Sequence, residues 1–296
     1  MLAVAERGIT GCRYGTDKPD LRFGFELSDI SAAVSGCSFK VFSNALEAGG
    51  IVKAIRVPSG GRISNSRIKP KGDIANEAVA AGAAGLAHAR VTGGVLEAAK
   101  AIKEGLSLEQ AAALITACGA EEGDLILFAA GSADVVNRAL DRVRRYIGAE
   151  LGGDGAGPHS LHWVVDWPMF EFNADENRYE ALHHPFTAPQ GVVGGGADLA
   201  KATAHAYDLV YNGVEIGGGS LRIYRRDVQE AVFATIGLSD AEARAKFGYL
   251  LDAFEFGAPP HGGLAFGVDR LAMLMTGAAS IRFVTAMIHL PRSTTT

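Results

Sequence analysis

Four short stretches place ionisable side chains among apolar residues and glycines, where a polar group needs a reason to be. The densest is Tyr207-Asp208-Leu209-Val210-Tyr211-Asn212-Gly213-Val214-Glu215-Ile216-Gly217-Gly218-Gly219-Ser220-Leu221-Arg222-Ile223. Asn-Gly between two alternating segments predicts a hairpin with a tight turn. That pairing sets Glu215 opposite Val210, with Asp208 diagonal to it on the same face. Two carboxylates at such range repel unless a cation lies between them, and Mg²⁺ shared with phosphate oxygens is the usual occupant. The three glycines let a flat ligand approach the backbone. Arg222 stands seven residues beyond Glu215, an odd separation that flips faces. A bulge in the glycines is needed to bring both into one site; without it this is a hairpin with surface charges.

The second stretch is His183-His184-Pro185-Phe186-Thr187-Ala188-Pro189. Adjacent residues on a strand point to opposite faces, so only one histidine can enter a given pocket, and both can also be plain surface residues. The third is Phe256-Gly257-Ala258-Pro259-Pro260-His261-Gly262-Gly263-Leu264-Ala265-Phe266-Gly267-Val268-Asp269-Arg270. It predicts a glycine-flanked strand feeding a helix whose first turn presents Arg270 to a phosphate. The competing reading pairs Arg270 with Asp269 or Glu255 on a surface helix. The fourth, Asp17-Lys18-Pro19-Asp20, is by itself a turn.

The elements that must position these residues follow from periodicity and caps. Residues 12–24 are expected to form a turn-rich loop. Residues 51–57 alternate like a strand, 74–83 are Ala-rich and helical, and 85–91 form a further strand. Ser107 with Gln110 and Ser239 with Glu242 are capping boxes that start helices, ending near Gly119 and Phe254. Residues 124–129 are a buried-type strand, followed by a helix over 135–147 and a Gly-rich loop at 152–157. Pro168 interrupts a strand over 163–170. A strand over 263–267 leads into a helix over 268–275, closed by Gly277. The αβ alternation of residues 37–122 predicts a compact module of its own.

Composition narrows the class. With 48% hydrophobic and 21% charged residues, the chain is neither disordered nor fibrous. No apolar run approaches a membrane span of roughly 18 residues, and the first residues lack a signal-peptide pattern. Three separated cysteines fit a reducing compartment and give no zinc spacing. A net charge of −5 argues against broad nucleic-acid binding, though not against a local basic patch.

Taken together, the stretches resemble the bacterial-type aspartyl-tRNA synthetases, class II aminoacyl-tRNA ligases. The matching segments are Arg13-Tyr14-Gly15-Thr16-Asp17-Lys18-Pro19-Asp20-Leu21-Arg22-Phe23, Val165-Asp166-Trp167-Pro168-Met169-Phe170-Glu171, the paired-histidine stretch, residues 215–222 and residues 259–270. They recur in family order over nearly the whole chain. The resemblance implies an α+β fold: a class II antiparallel sheet flanked by helices, with a small inserted α/β domain like the GAD domain. It divides the chain into a first catalytic segment (1–36), the insertion (37–122) and a second catalytic segment with motif 3 (123–296).

The resemblance also implies roles. Glu215, Gly267, Val268, Asp269 and Arg270 would contact ATP, with Arg270 on its phosphates. Asp208 and Glu215 would hold Mg²⁺. Arg222 would pair with the side-chain carboxylate of L-aspartate, and His183, with His184 as the alternative, would lie over that substrate. No protein nucleophile is required. Partners would be ATP, L-aspartate and tRNA, in a cytoplasmic homodimer. The family's anticodon-binding barrel, motif 1 and motif 2 have no counterpart in these 296 residues, and Phe283 replaces the family's usual Asp. An insertion-like 287–289 and an atypical tail follow. Impaired catalysis is therefore expected of this chain. The alternatives are a non-catalytic nucleotide- or partner-binding fragment and an ammonia-dependent asparagine synthetase; the GAD-like insertion argues against the second.

Overall fold

A computed structural model of the chain describes residues 3–151, 157, 159–191, 193 and 198–285. The Gly-rich stretch expected at 152–157, apart from Gly157, and the tail from 286 onward lie outside the described residues. The fold is α+β. Its strands are β1 (Ala3–Glu6), β2 (Leu27–Asp29), β3 (Ile51–Val57), β4 (Ala87–Thr92), β5 (Val95–Ala98), β6 (Leu125–Gly131), β7 (Leu161–Val165), β8 (Trp167–Pro168), β9 (Phe170–Asn173), β10 (Arg178–Ala181), β11 (Pro189–Gln190), β12 (Thr203–Ala204), β13 (Ala206–Tyr211), β14 (Val214–Leu221) and β15 (Gly262–Phe266). Its helices are α1 (Arg7–Tyr14), α2 (Lys40–Glu47), α3 (Asn65–Ile68), α4 (Asp73–Ala80), α5 (Lys100–Gly105), α6 (Leu108–Cys118), α7 (Ala133–Leu151), α8 (Arg226–Thr235), α9 (Asp240–Glu255) and α10 (Val268–Thr276). The chain divides into two compact units, residues 5–160 and residues 161–296, the latter with 1–4.

In the 5–160 unit the strand order is β2-β3-β6-β4-β5. Both β3 and β4 run antiparallel to β6, so they are parallel to each other with β6 filling the slot between them. The sequence alternation of helix and strand therefore produces a split βαβ arrangement. β6 is apolar throughout because both its faces are covered: Leu125, Leu127 and Ala129 join one core, and Ile126 and Phe128 join the other. Helix α7 supplies Val136, Ala139, Leu140, Val143 and Ile147 to the first core, a helical stripe of three- and four-residue steps. The boundaries expected at 37 and 122 fall within this unit, since β2 precedes the first and the central strand β6 follows the second.

The segment 12–24 is partly helical, since α1 runs to Tyr14. It docks on α7. A Cβ at Gly15 (φ 73°) would strike the Asn137 carbonyl, and one at Gly148 would strike the Phe23 ring. Arg144, fully buried, donates to the Phe25 and Phe23 carbonyls at 2.8 and 3.0 Å and to that of Asp20. Its guanidinium lies 4.7 Å from the Tyr14 ring centre. Burial pulls its pKa below the usual arginine value, against the opposing pull of Asp141 and Asp20.

In the second unit the sheet order is β1-β7-β13-β14-β15, and the β7–β13, β13–β14 and β14–β15 pairings are antiparallel. The expected 163–170 strand is broken at Asp166, which adopts φ 57°, just ahead of Pro168. Both capping boxes form, with Ser107 and Ser239 each bonded reciprocally to the residue three ahead. Gly119 and Gly277 close their helices in the left-handed conformation.

Candidate functional site

The Asn212-Gly213 turn takes φ 49° and 80°, the double left-handed geometry that fits a two-residue hairpin. It pairs Tyr211 with Val214 and Val210 with Glu215; the register then shifts, so that Leu209 faces Gly217 and Asp208 faces Gly218. Ile216 is the extra residue. This is the bulge that the odd spacing demands, placed just ahead of the glycines. It turns Glu215, Gly218, Ser220 and Arg222 to one face together with Asp208. The lack of a side chain at Gly218 is used at once, because a Cβ there would collide with Asp208 Oδ1.

Arg270 reaches this face from the first turn of α10. Its Nη1 donates to the Glu215 carbonyl at 2.9 Å and lies 3.3 Å from Glu215 Oε1. The helix lies at the surface, as the competing reading has it, but the partner differs: Glu255 is taken by Arg226, and Arg270 pairs with Glu215 instead. Both contacts use Nη1, so Nε and Nη2 remain to meet an anion. Gly267 N–H donates to the Ile216 carbonyl at 2.9 Å, which ties the helix start to the bulge. A Cβ at Gly267 would meet the Arg270 side chain only at ordinary van der Waals distance, 3.5 Å. Val268 is 74% exposed and Asp269 is exposed in the same turn.

The two histidines lie in a bend and turn between strands, which corrects the strand geometry expected of them. His183 stands edge-on to Trp167 with ring centres 5.1 Å apart. His184 packs on Phe186 at 4.7 Å. Burial, then the nearby Arg222 charge, holds the His184 imidazole pKa below its ordinary value. The following Thr187 bridges to Arg222, and its Oγ1 lies 3.3 Å from Ser220 Oγ in the interior. Thr187 and Ser220 thus form a buried hydroxyl pair under Arg222 that residue typing did not single out. Counting two back from Arg222 along the strand would have found Ser220.

Arg222 also lines a cavity of about 470 Å³ with His205, Arg225, Pro260 and His261. Among the described residues only cationic or neutral side chains face it, so the cavity suits an anion. Asp208, Glu215 and Arg270 do not line it. The expected residues therefore fall into two neighbouring groups on this unit: the Asp208–Glu215–Arg270 face and the Arg222–His184 corner.

This assembly, a glycine-rich antiparallel hairpin meeting a strand-to-helix arginine, is accompanied by a match of residues 3–291 to the family described as tRNA synthetases class II (D, K and N). The chain belongs to that family. Among its curated relatives, the Aspartate--tRNA(Asp/Asn) ligase of Cyanothece sp. is 55% identical over 278 residues, covering 93% of this chain and 46% of the relative. That of Trichodesmium erythraeum is 56% identical over 276 residues, with the same two coverages. The chain spans about half the length of these relatives. Among solved structures, an aspartyl tRNA synthetase from Entamoeba histolytica overlaps 48% of this chain and 24% of its own, with 23% identity and a TM-score of 0.33.

Proposed function

We propose that the 161–296 unit carries the adenylate-forming site of an aspartate–tRNA ligase. The observation that carries this is the bulge at Ile216, which sets Glu215, Asp208 and Arg222 on one face while Arg270 is anchored to Glu215. In the reaction the α-carboxylate of L-aspartate attacks the α-phosphorus of ATP. Pyrophosphate leaves, and the aspartyl adenylate then passes its acyl group to the terminal ribose of tRNA. Arg270 Nε and Nη2 face the phosphates and stabilise charge that develops on them. Arg222 takes the side-chain carboxylate of aspartate in a two-pronged contact. The insertion that marks the bacterial type lies within the 5–160 unit and includes β2 and β6 on either side of residues 37–122.

Asp208 and Glu215 suit Mg²⁺, which takes one or two carboxylates and completes its shell with phosphate oxygens and water. Among the described residues no group of three or more His, Cys, Asp or Glu could hold a metal by itself, so the ion would arrive with the nucleotide. When bound it would neutralise phosphate charge. The Glu215–Arg270 pair, with side chains 33% and 44% exposed, is of the kind that contributes at most about 1 kcal/mol. Glu215 can therefore give up its contact when ligand enters.

Pyrophosphate exchange into ATP, measured with the whole chain and Mg²⁺, tests the reading. Weak exchange, well below that of an intact synthetase, that needs aspartate, is not supported by asparagine, and falls further in Arg270→Ala is the expected result. Absence of both aspartate-dependent exchange and binding of an aspartyl-adenylate analogue would overturn it.

A further inference from the structure

A second charged cleft lies in the 5–160 unit and has no part in the site above. It encloses about 390 Å³ and is lined by Asn65, Lys69, His88, Arg90, Glu97 and Lys103, with two alanines. Strands β4 and β5 build its floor. Arg90 pairs in register with Glu97, and His88, two residues from Arg90, shares their face. Lys69 follows α3 and Lys103 lies on α5, so four elements converge.

The positive charge there is only partly compensated. Arg90 spends its guanidinium on neutral acceptors, donating to the carbonyls of Gly60, Gly61 and Ile63 at 3.1, 2.8 and 2.5 Å and to Asn65 Oδ1 at 2.9 Å. Among the described residues neither Lys69 nor Lys103 joins a carboxylate. Elsewhere in the unit Arg56, Arg67, Arg142 and Arg145 all do. Arg90, Lys69 and Lys103 therefore face one carboxylate, Glu97, in a chain whose overall charge is −5. His88 is half-buried, and burial, then Arg90 and Lys69, push its pKa down. Its neutral ring can donate to an anion from one nitrogen.

We propose that this cleft binds a phosphate ester. Lys69 and Lys103 would supply charge and His88 a directed hydrogen bond, while Arg90 holds the floor rigid. The volume exceeds what a lone phosphate fills and lies within the range of small-ligand pockets, about 300–1,000 Å³. The phosphate would thus come attached, either to a nucleotide-sized small molecule or to the backbone of RNA. The site stands independently of the adenylate reading.

The test follows the ring-proton signals of His88 in the whole chain, identified by their loss in His88→Gln. Inorganic phosphate and a twelve-nucleotide RNA serve as probes. Saturable movement of the His88 signals with phosphate is expected, with affinity weakened roughly five- to thirtyfold in Lys69→Ala/Lys103→Ala as two cation contacts are removed. Lys103→Ala alone, at an exposed helix position, should give an intermediate loss. RNA that displaces phosphate makes the backbone the source; RNA that leaves the signals where phosphate puts them makes it a small ester. His88 signals that neither probe moves, or that move equally in wild type and lysine variants, would overturn the site.

Discussion

Arg222 and His184 supply a test of geometry that does not depend on catalysis. The Arg222 charge is the second cause, after burial, of the lowered His184 pKa. Arg222→Leu should raise that pKa part of the way toward its ordinary value, read from the ring-proton shift against pH; an unchanged pKa would mean the two side chains do not face each other. Gly218 is a second point of leverage. In Gly218→Ala the new methyl group must displace Asp208, so Mg²⁺-dependent ATP binding should weaken while the hairpin persists; unaltered binding would remove Asp208 from the nucleotide site. At this scale much was legible. Asn212-Gly213 fixes the turn, and the odd count from Glu215 to Arg222 requires a bulge. Its position at Ile216 was not legible, because nothing in local sequence says which residue of a glycine-rich strand is left unpaired. Nor was the partner of Arg270, since Glu215 lies 55 residues earlier and meets it only across the sheet.

At the scale of elements, caps and periodicity carried the assignments, since each is a local contact. The capping boxes at Ser107 and Ser239 and the glycine stops at Gly119 and Gly277 lie where the residues place them. Residues 183–184 form a bend rather than a strand: Pro185 has no N–H to give to a strand ladder, and His183 stands edge-on to Trp167, a contact that local sequence does not display. The role of residues 14–25 was also hidden: what orders that segment is Arg144, more than a hundred residues downstream. Arg144→Met keeps much of the side-chain volume but leaves three buried carbonyls without a donor. At roughly 1 kcal/mol or more for each unmet group, the 5–160 unit should lose about 3 kcal/mol in denaturant unfolding; a loss below about 1 kcal/mol would show that water replaces the guanidinium. Asp141 on the same helix gives a pH signature. Its desolvation holds the carboxyl pKa above the usual range despite Arg145. The folded state therefore keeps this proton longer than the unfolded chain does, and its contribution falls as pH rises from about 4 through the raised pKa. Asp141→Asn should remove that slope from the unfolding free energy measured between pH 4 and 7, and an identical slope in wild type and variant would contradict the assignment.

Over the whole molecule, two units with separate cores account for the division of labour. The unit of residues 5–160 includes the central strand β6, so a fragment of 5–160 should give dispersed amide signals. A fragment of 37–122 lacks that strand and should not; dispersion in the shorter piece would mean that β6 is dispensable. No described helix is long and apolar enough to cross a membrane. The family was legible because its glycine and arginine positions follow one another in order along one chain. The boundary between units was not, because β6 looks like any buried strand until its neighbours are known. The central claim is that the Arg222 corner recognises the side-chain carboxylate of aspartate beside an adenylate. The most direct measurement is calorimetric binding of two non-hydrolysable adenylate analogues, aspartyl and asparaginyl, to the whole chain and to Arg222→Leu. A charged hydrogen bond contributes about 1.5–3 kcal/mol, so wild type should favour the aspartyl analogue by about tenfold or more, and the variant should bind both alike. Equal binding of the two by wild type, or a preference that survives in Arg222→Leu, would contradict it.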